Sequence, residues 1–347
     1  MATASPLRRR YQCSAHPRRS ARGLGILVPG ARRVAGGGER HATLGPVTIR
    51  RSLSEAARQG TRWEGLARYQ VLGYPFVLRW NWAAGADYLG YVLGAFRDSD
   101  DGSGQLPTYS LVDAGARGDG ARYGVLLGDQ QMVASDRAGD IVAHVLWHVF
   151  TRALEQTSDR LLIHAGSVVS PSGQGVLLPA DAGSGKTTLS VALLRSGFGF
   201  LSDEAGVIDP ATRLAHPYPR AVNLKEGSWA LFDDLPPPRF GPEWSAQFRF
   251  VRPEDIRVGS PSAPAPVRLI VAPRYVSRAP TTLTPLRRAE AVVMIAENLM
   301  NLPAFGPSAL PLLADIAREA PAYRLVSGDL GQAVSAVTDL CEGLGSD

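Results

Sequence analysis

The sequence predicts an α/β protein, with a phosphate-loop core preceded by a smaller α+β N-terminal domain. Three observations predict it. The stretch "VLLPADAGSGKTTLSVALLRSG" (residues 176–197) runs from a strand-like apolar segment through a glycine-rich turn into an apolar-periodic helix. Short apolar runs recur along the chain, punctuated by Gly, Pro and Asp turns and interleaved with segments of helical period. The length of 347 residues, 45% of them hydrophobic and 20% charged, suffices for one large core or two modest ones. The boundaries expected are a disordered basic leader at 1–42, an α+β domain at 43–158 and a phosphate-loop domain at 159–347.

The formal net charge of +5 is unevenly spread. Residues 1–51 hold eleven arginines and one acid, so the remainder is mildly acidic. The leader is rich in Arg, Gly and Ser with little apolar period, as disordered segments are. An arginine arm can bind nucleic acid, but a leader without a role is the simpler reading, and nucleic acid is not expected as a partner. No window approaches 18 uninterrupted apolar residues, so no membrane-spanning helix and no membrane partner are expected. The two cysteines, Cys13 and Cys341, stand at opposite ends, which argues against a disulfide scaffold or a zinc site and fits the cytoplasm.

Taken in order, "TLGPVTIRRS" (43–52) reads as a strand, as does "YPFVLRWNW" (74–82), and a helix follows near 87–98. Residues 107–115 read as a strand and 121–135 as a hairpin, and 140–156 has the apolar spacing of a long buried helix. In that helix His144 and His148 share one face. The intervening "VLW" lacks the glutamate of zinc-protease helices, so packing is the reading. From 159, two strands joined by Ser-Pro-Ser-Gly lead into the glycine loop, whose helix closes at Gly197. "FGFLSDEAGVIDP" reads as a buried strand ending in two acids, then another strand. Pro-rich loops at 235–243 and 259–266, a strand at "VRLIVAPRYV", and helices near 287–302, 307–318 and 329–342 complete the chain.

The chemistry centres on the loop. Successive backbone N–H groups in a glycine-rich turn form an anion-sized nest, and the helix behind it adds its positive end. Residues Ala182, Gly183, Ser184, Gly185, Lys186, Thr187 and Thr188 would cradle nucleotide phosphates, with Lys186 reaching the β- and γ-oxygens and the Thr187 hydroxyl offered to Mg2+. The usual first glycine is replaced by Ala180, which costs little if its φ is negative and roughly 1–2 kcal/mol if positive. The chain has 35 arginines but two lysines, Lys186 and Lys225, and a compact ammonium fits between phosphate oxygens where a planar guanidinium does not. Asp203 and Glu204 lie 17 and 18 residues beyond Lys186, separated by one helix and one strand, so they should emerge at the loop's edge of the sheet. Carboxylates there can hold Mg2+ or take a proton from an attacking hydroxyl.

Together with "IHAGSVV", "HPYPRAVNLKEGS" and "APRYV", this linked run resembles the C-terminal kinase domain of HPr kinase/phosphorylase and its HPr-kinase-related branch, over roughly 159–347. The resemblance implies a phosphoenolpyruvate-carboxykinase/HPr-kinase-like P-loop core. It also implies ATP and Mg2+ as cofactors, Asp203 as catalytic acid/base, Glu204 as its metal-linked neighbour and His164 as an active-site histidine. Arg220, Lys225 and Arg274 become candidates for phosphate or acceptor contacts. Where members carry a signature resembling "EIRGLGI", tied to acceptor handling and the reverse reaction, this chain has "PRAVNLKEGS", so the acceptor class expected is a serine or threonine hydroxyl on a peptide or protein, a ribosomally made peptide included. The alternatives are a low-turnover nucleotide-binding regulator and a kinase for a small hydroxylated metabolite. Relatives are oligomers, but no interface pattern is legible here.

Overall fold

The computed structural model describes residues 52–59, 61–99, 104–115, 120–235 and 248–344. The leader, nearly all of the strand expected at 43–52 and nearly all of the Pro-rich loop expected at 235–243 lie outside them. The fold is mixed α/β.

The first half contains α1 (Glu55–Gln59), β1 (Gly65–Val71), β2 (Tyr74–Trp80), α2 (Ala83–Val92), β3 (Arg97–Asp98), β4 (Thr108–Asp113), β5 (Tyr123–Leu127), β6 (Gln130–Ser135) and α3 (Ala138–Gln156). The six strands form one sheet in the order β3-β1-β2-β4-β5-β6. Leu72 and Gly73 both take positive φ, 48° and 81°, the requirement of a tight two-residue hairpin between β1 and β2. Period-two patterning puts Tyr69 opposite Phe76 and Ala67 opposite Leu78 on the buried face. Helix α3 lays Ile141, Val145, Leu146, Val149 and Ala153 onto this core. Each of the four larger side chains contributes about 1.5–3 kcal/mol by leaving water, and the Ala153 methyl less than about 1 kcal/mol.

The second half contains β7 (Leu161–Ile163), β8 (Ala165–Val169), β9 (Gly175–Pro179), α4 (Lys186–Arg195), β10 (Gly199–Ser202), β11 (Gly206–Ile208), β12 (Leu214–His216), β13 (Val222–Lys225) and β14 (Phe248–Val251). It continues through α5 (Pro253–Ile256), β15 (Ala265–Tyr275), β16 (Thr282–Leu286), α6 (Arg288–Glu297), α7 (Leu302–Phe305), α8 (Ala309–Glu319), β17 (Ala322–Ser327) and α9 (Leu330–Leu344). The eleven-residue β15 is the hub. Its first two residues pair with β12, its middle runs parallel to β9 and its far end parallel to β17. One face of this sheet packs on α4 and α9 through Leu189, Leu193, Val337 and Cys341, and the other on α6 and α8 through Ile295, Leu313 and Ile316.

Four differences from the sequence reading matter. The expected single strand at 159–169 is two strands in different parts of the sheet, β7 pairing with β11 and β8 with β9 and β10, and His164 is the break. The helix expected at 87–98 begins at Ala83 and ends at Val92, short of a 3-10 turn and β3. Strand β1 was not expected, because Arg68 and exposed Leu66 blur its alternation. Nor were β16 and β17. Pro285 lacks an N–H and argues against a strand, yet β16 tolerates it because it is an edge strand paired only with β17. Among the described residues, no helix is long and apolar enough to cross a membrane.

Candidate active site

The glycine loop leaves β9 at Pro179 and enters α4 at Lys186. Gly183 and Gly185 take φ of 84° and 93°, a region closed to most side chains, which explains glycine at both places. Ala180 is not among the residues with positive φ, so alanine there carries no backbone strain. Among the described residues, the main-chain N–H groups of Gly183, Gly185, Lys186 and Thr187 have no acceptor, so the loop and first helical turn present free donors together. The loop is braced from β15, whose Tyr275 N–H donates to the Ser184 carbonyl at 2.9 Å. At the other end of α4, Gly197 (φ 104°) supports a Schellman closure: Phe198 N–H bonds Leu193 O and Gly197 N–H bonds Leu194 O. The helix is buried on two sides, by Leu189 and Leu193 against the sheet and by Val191 and Leu194 against β13 and β14. Its N-terminus is therefore rigidly aimed.

Six side chains meet at that end. The Lys186 ammonium lies 2.8 Å from His164 Nε2 and 3.1 Å from the Ala180 carbonyl, which accepts from it. The Thr187 hydroxyl donates to Asp203 Oδ2 at 3.3 Å. Arg220 pairs with both acids, Nη2 donating to Glu204 Oε2 at 3.1 Å and Nε standing 3.7 Å from Asp203 Oδ1. Glu204 Oε1 lies 3.8 Å from His164 Nε2. The acids are placed by a turn at the end of β10, where the buried Ser202 hydroxyl accepts from the N–H groups of Glu204 and Ala205. His164 is placed by the β7–β8 break, its N–H donating to the Asn298 carbonyl at 2.7 Å. Asn301 secures the neighbouring chain, accepting from Leu162 N–H and donating to the carbonyls of Thr157 and Arg160.

The electrostatics separate the two acids. Asp203 is 1% exposed, and burial raises its pKa against the pull of Arg220, Lys186 and the Thr187 hydroxyl, with Glu204 adding to the rise. For Glu204 removal from water also acts upward, but Arg220, His164, Lys186 and Lys225 outweigh it and hold the carboxyl below its usual range. The two neighbouring acids are thus shifted in opposite directions, the pattern by which paired carboxylates take separate acid–base roles. Burial is the main cause that brings the Lys186 ammonium down to about 8. Burial and the Lys186 charge together lower the His164 pKa, so the ring is neutral near pH 7 and its Nε2 accepts from the ammonium. Arg220 stays charged because Glu204 and Asp203 outweigh its burial.

The remaining candidates stand apart from this cluster. Thr188 turns to the Ser228 hydroxyl, 2.8 Å away. Ala182 is exposed, and Lys225, exposed at the end of β13, acts on Glu204 through its charge. Arg274 is exposed near the end of β15. Thr187 meets Asp203 rather than Glu204, its expected partner around a metal. Among the described residues, no three His, Cys, Asp or Glu side chains gather as a metal site. Mg2+ takes only one or two protein oxygens and completes its shell with phosphate and water. The Thr187 hydroxyl and Asp203, whose buried Oδ1 has no hydrogen-bond partner, fit that demand.

Sequence reasoning missed the aromatic support. Phe150 of α3 lies under the Arg220 guanidinium at 5.2 Å and edge-on to Tyr218 at 6.2 Å, and Tyr218 also contacts Phe96. The signal was faint, since Phe150 reads as one more apolar position on a buried helix. A separate pocket of about 420 Å³ is lined by Tyr91, Arg97, Pro219, Ala221, Arg252 and Asp255 among others, and no side chain of the cluster lines it.

No family model and no curated protein sequence matches the chain. Among solved structures, the HPr(Ser) kinase/phosphatase from Coxiella burnetii aligns over 53% of this chain and 97% of its own, at 12% identity and a TM-score of 0.27. A likeness of that size carries no functional weight by itself.

Proposed function

We propose that this protein is an ATP-dependent phosphotransferase that moves the γ-phosphoryl group to a serine or threonine hydroxyl of a peptide or protein acceptor. It would do so on an HPr-kinase-like core spanning 159–347, with 43–158 as its N-terminal domain. The observation that carries the reading is convergence: a nest of free N–H groups, one buried ammonium and two carboxylates of opposite pKa shift meet at the start of α4. The nest and Lys186 hold the β- and γ-phosphates. The Thr187 hydroxyl and, through a bound water, Asp203 would hold Mg2+, which would supply charge neutralisation across the phosphate oxygens. The acceptor oxygen bonds to the γ-phosphorus while the bond to the β,γ-bridging oxygen breaks, and ADP departs with that electron pair. Asp203 takes the hydroxyl proton. Arg220 holds Asp203 and Glu204 in register, and neutral His164 fixes the Lys186 ammonium.

The test is mass spectrometry of Ser- and Thr-containing peptides incubated with the protein, ATP and Mg2+. Wild type adds a mass of about 80 Da, one phosphoryl group. Asp203→Asn retains ATP binding and loses roughly 10²–10⁴-fold in rate, the usual worth of a general base. An Asp203→Asn rate equal to wild type would remove Asp203 from the chemistry. ATP binding by wild type with no phosphopeptide product is the result that belongs to a nucleotide-dependent regulator.

A further inference from the structure

We propose that Tyr275 is the platform on which the base of a purine nucleoside triphosphate stacks, and so the residue that distinguishes a nucleotide from a bare polyphosphate at this site. The inference rests on the nucleotide reading above and goes beyond its phosphate contacts. Tyr275 is the last residue of β15 and is 61% exposed, although its backbone is held between the loop and β17, where it pairs with Ser327. Its N–H donates to the Ser184 carbonyl, and the following residue, Val276, donates to the Ser327 carbonyl at 3.1 Å. The turn beyond it is clamped by Gly328. A Cβ there would come within 2.7 Å of the Arg278 and Ala279 backbone nitrogens. Among the described residues the Tyr275 side chain makes no hydrogen bond and no ring contact.

A large, partly apolar ring held rigidly and left open beside an anion nest has one physical use for a nucleotide. Once three phosphates occupy the nest, the ribose and base must leave along its rim, and the flat face of a purine gains by covering an aromatic face. Gly185 keeps that route clear. A Cβ on it would stand 3.3 Å from the Tyr275 Cβ, in the gap between the ring's root and the nest. Tyrosine also loses little side-chain freedom on stacking, since it has only two rotatable bonds.

Calorimetric titration of the full chain with ATP and with inorganic tripolyphosphate, both with Mg2+, tests the idea in wild type, Tyr275→Ala and Tyr275→Phe. The alanine variant should lose about tenfold or more in ATP affinity, the scale of one base–aromatic stack, while its tripolyphosphate affinity stays as in wild type. The phenylalanine variant should bind both as wild type does. Equal losses for both ligands in Tyr275→Ala would mean a disturbed loop rather than a lost stack. No loss for either would mean the base goes elsewhere. Both results overturn the proposal while leaving nucleotide binding intact, whereas wild type binding neither ligand would remove this proposal and the kinase reading together.

Discussion

Replacing Lys186 with methionine should change stability in a way that depends on pH. The ammonium is 6% exposed and its pKa falls from 10.5 to about 8 on folding, chiefly through burial. Near pH 7 the unfolded chain and the folded protein both hold the proton, so the folded state bears the whole cost of the buried charge, about 3 kcal/mol. Above about pH 8 the folded protein releases the proton while the unfolded chain keeps it, so the unfolded state binds more protons and stability climbs with pH. By about pH 9 the remaining cost is roughly 2 kcal/mol. Lys186→Met has no such charge, although it forfeits the contacts to His164 and the Ala180 carbonyl. Those losses are the same at both pH values. The stability of Lys186→Met relative to wild type should therefore fall by about 1 kcal/mol between pH 7 and pH 9. Urea melts of both proteins at the two pH values measure it, with nucleotide absent. A relative stability that stays constant would mean that the ammonium is not held in a low-dielectric site, and the argument for its phosphate-binding poise would go with it.

Two further variants test the same geometry. Arg220→Met leaves two carboxylates facing one another without their guanidinium, so denaturation should show a loss of about 3–5 kcal/mol, recovered in part when Glu204→Gln is added. In the single variant the Asp203 pKa rises further, because Arg220 is the strongest influence lowering it, and the acid limb of the transfer rate should move to higher pH. Gly185→Ala forces a side chain onto a φ of 93° and should cost about 1–2 kcal/mol in thermal or chemical melts, with a weakened nucleotide affinity.

What was legible in the sequence is what the backbone itself demands. Glycines at 183 and 185 mark positive φ, and the interval from Lys186 to Asp203 holds one helix and one strand, so the acids had to return to the loop's edge. His164 was named as a candidate through the family resemblance but was not legible as a chain break, because a three-residue strand followed at once by another reads as one apolar run. Arg220 could be named but not ranked above Lys225 or Arg274. Its importance comes from Phe150 supporting the guanidinium beside the acids, a contact between residues distant in sequence that leaves no local period. Tyr275 was hidden for the opposite reason: nothing in "APRYV" says that the strand ends there with its ring in the open.

The Phe150–Arg220 contact has a consequence for the history and handling of the chain. Leu162, Ala205, Val207, Tyr218 and Ala221 share one apolar cluster with α3 and the six-stranded sheet, so a fragment cut ahead of residue 159 would turn that surface to water and leave the guanidinium unsupported. The two halves are thus poor candidates for separate inheritance or shuffling, because the first lends the second part of its candidate site.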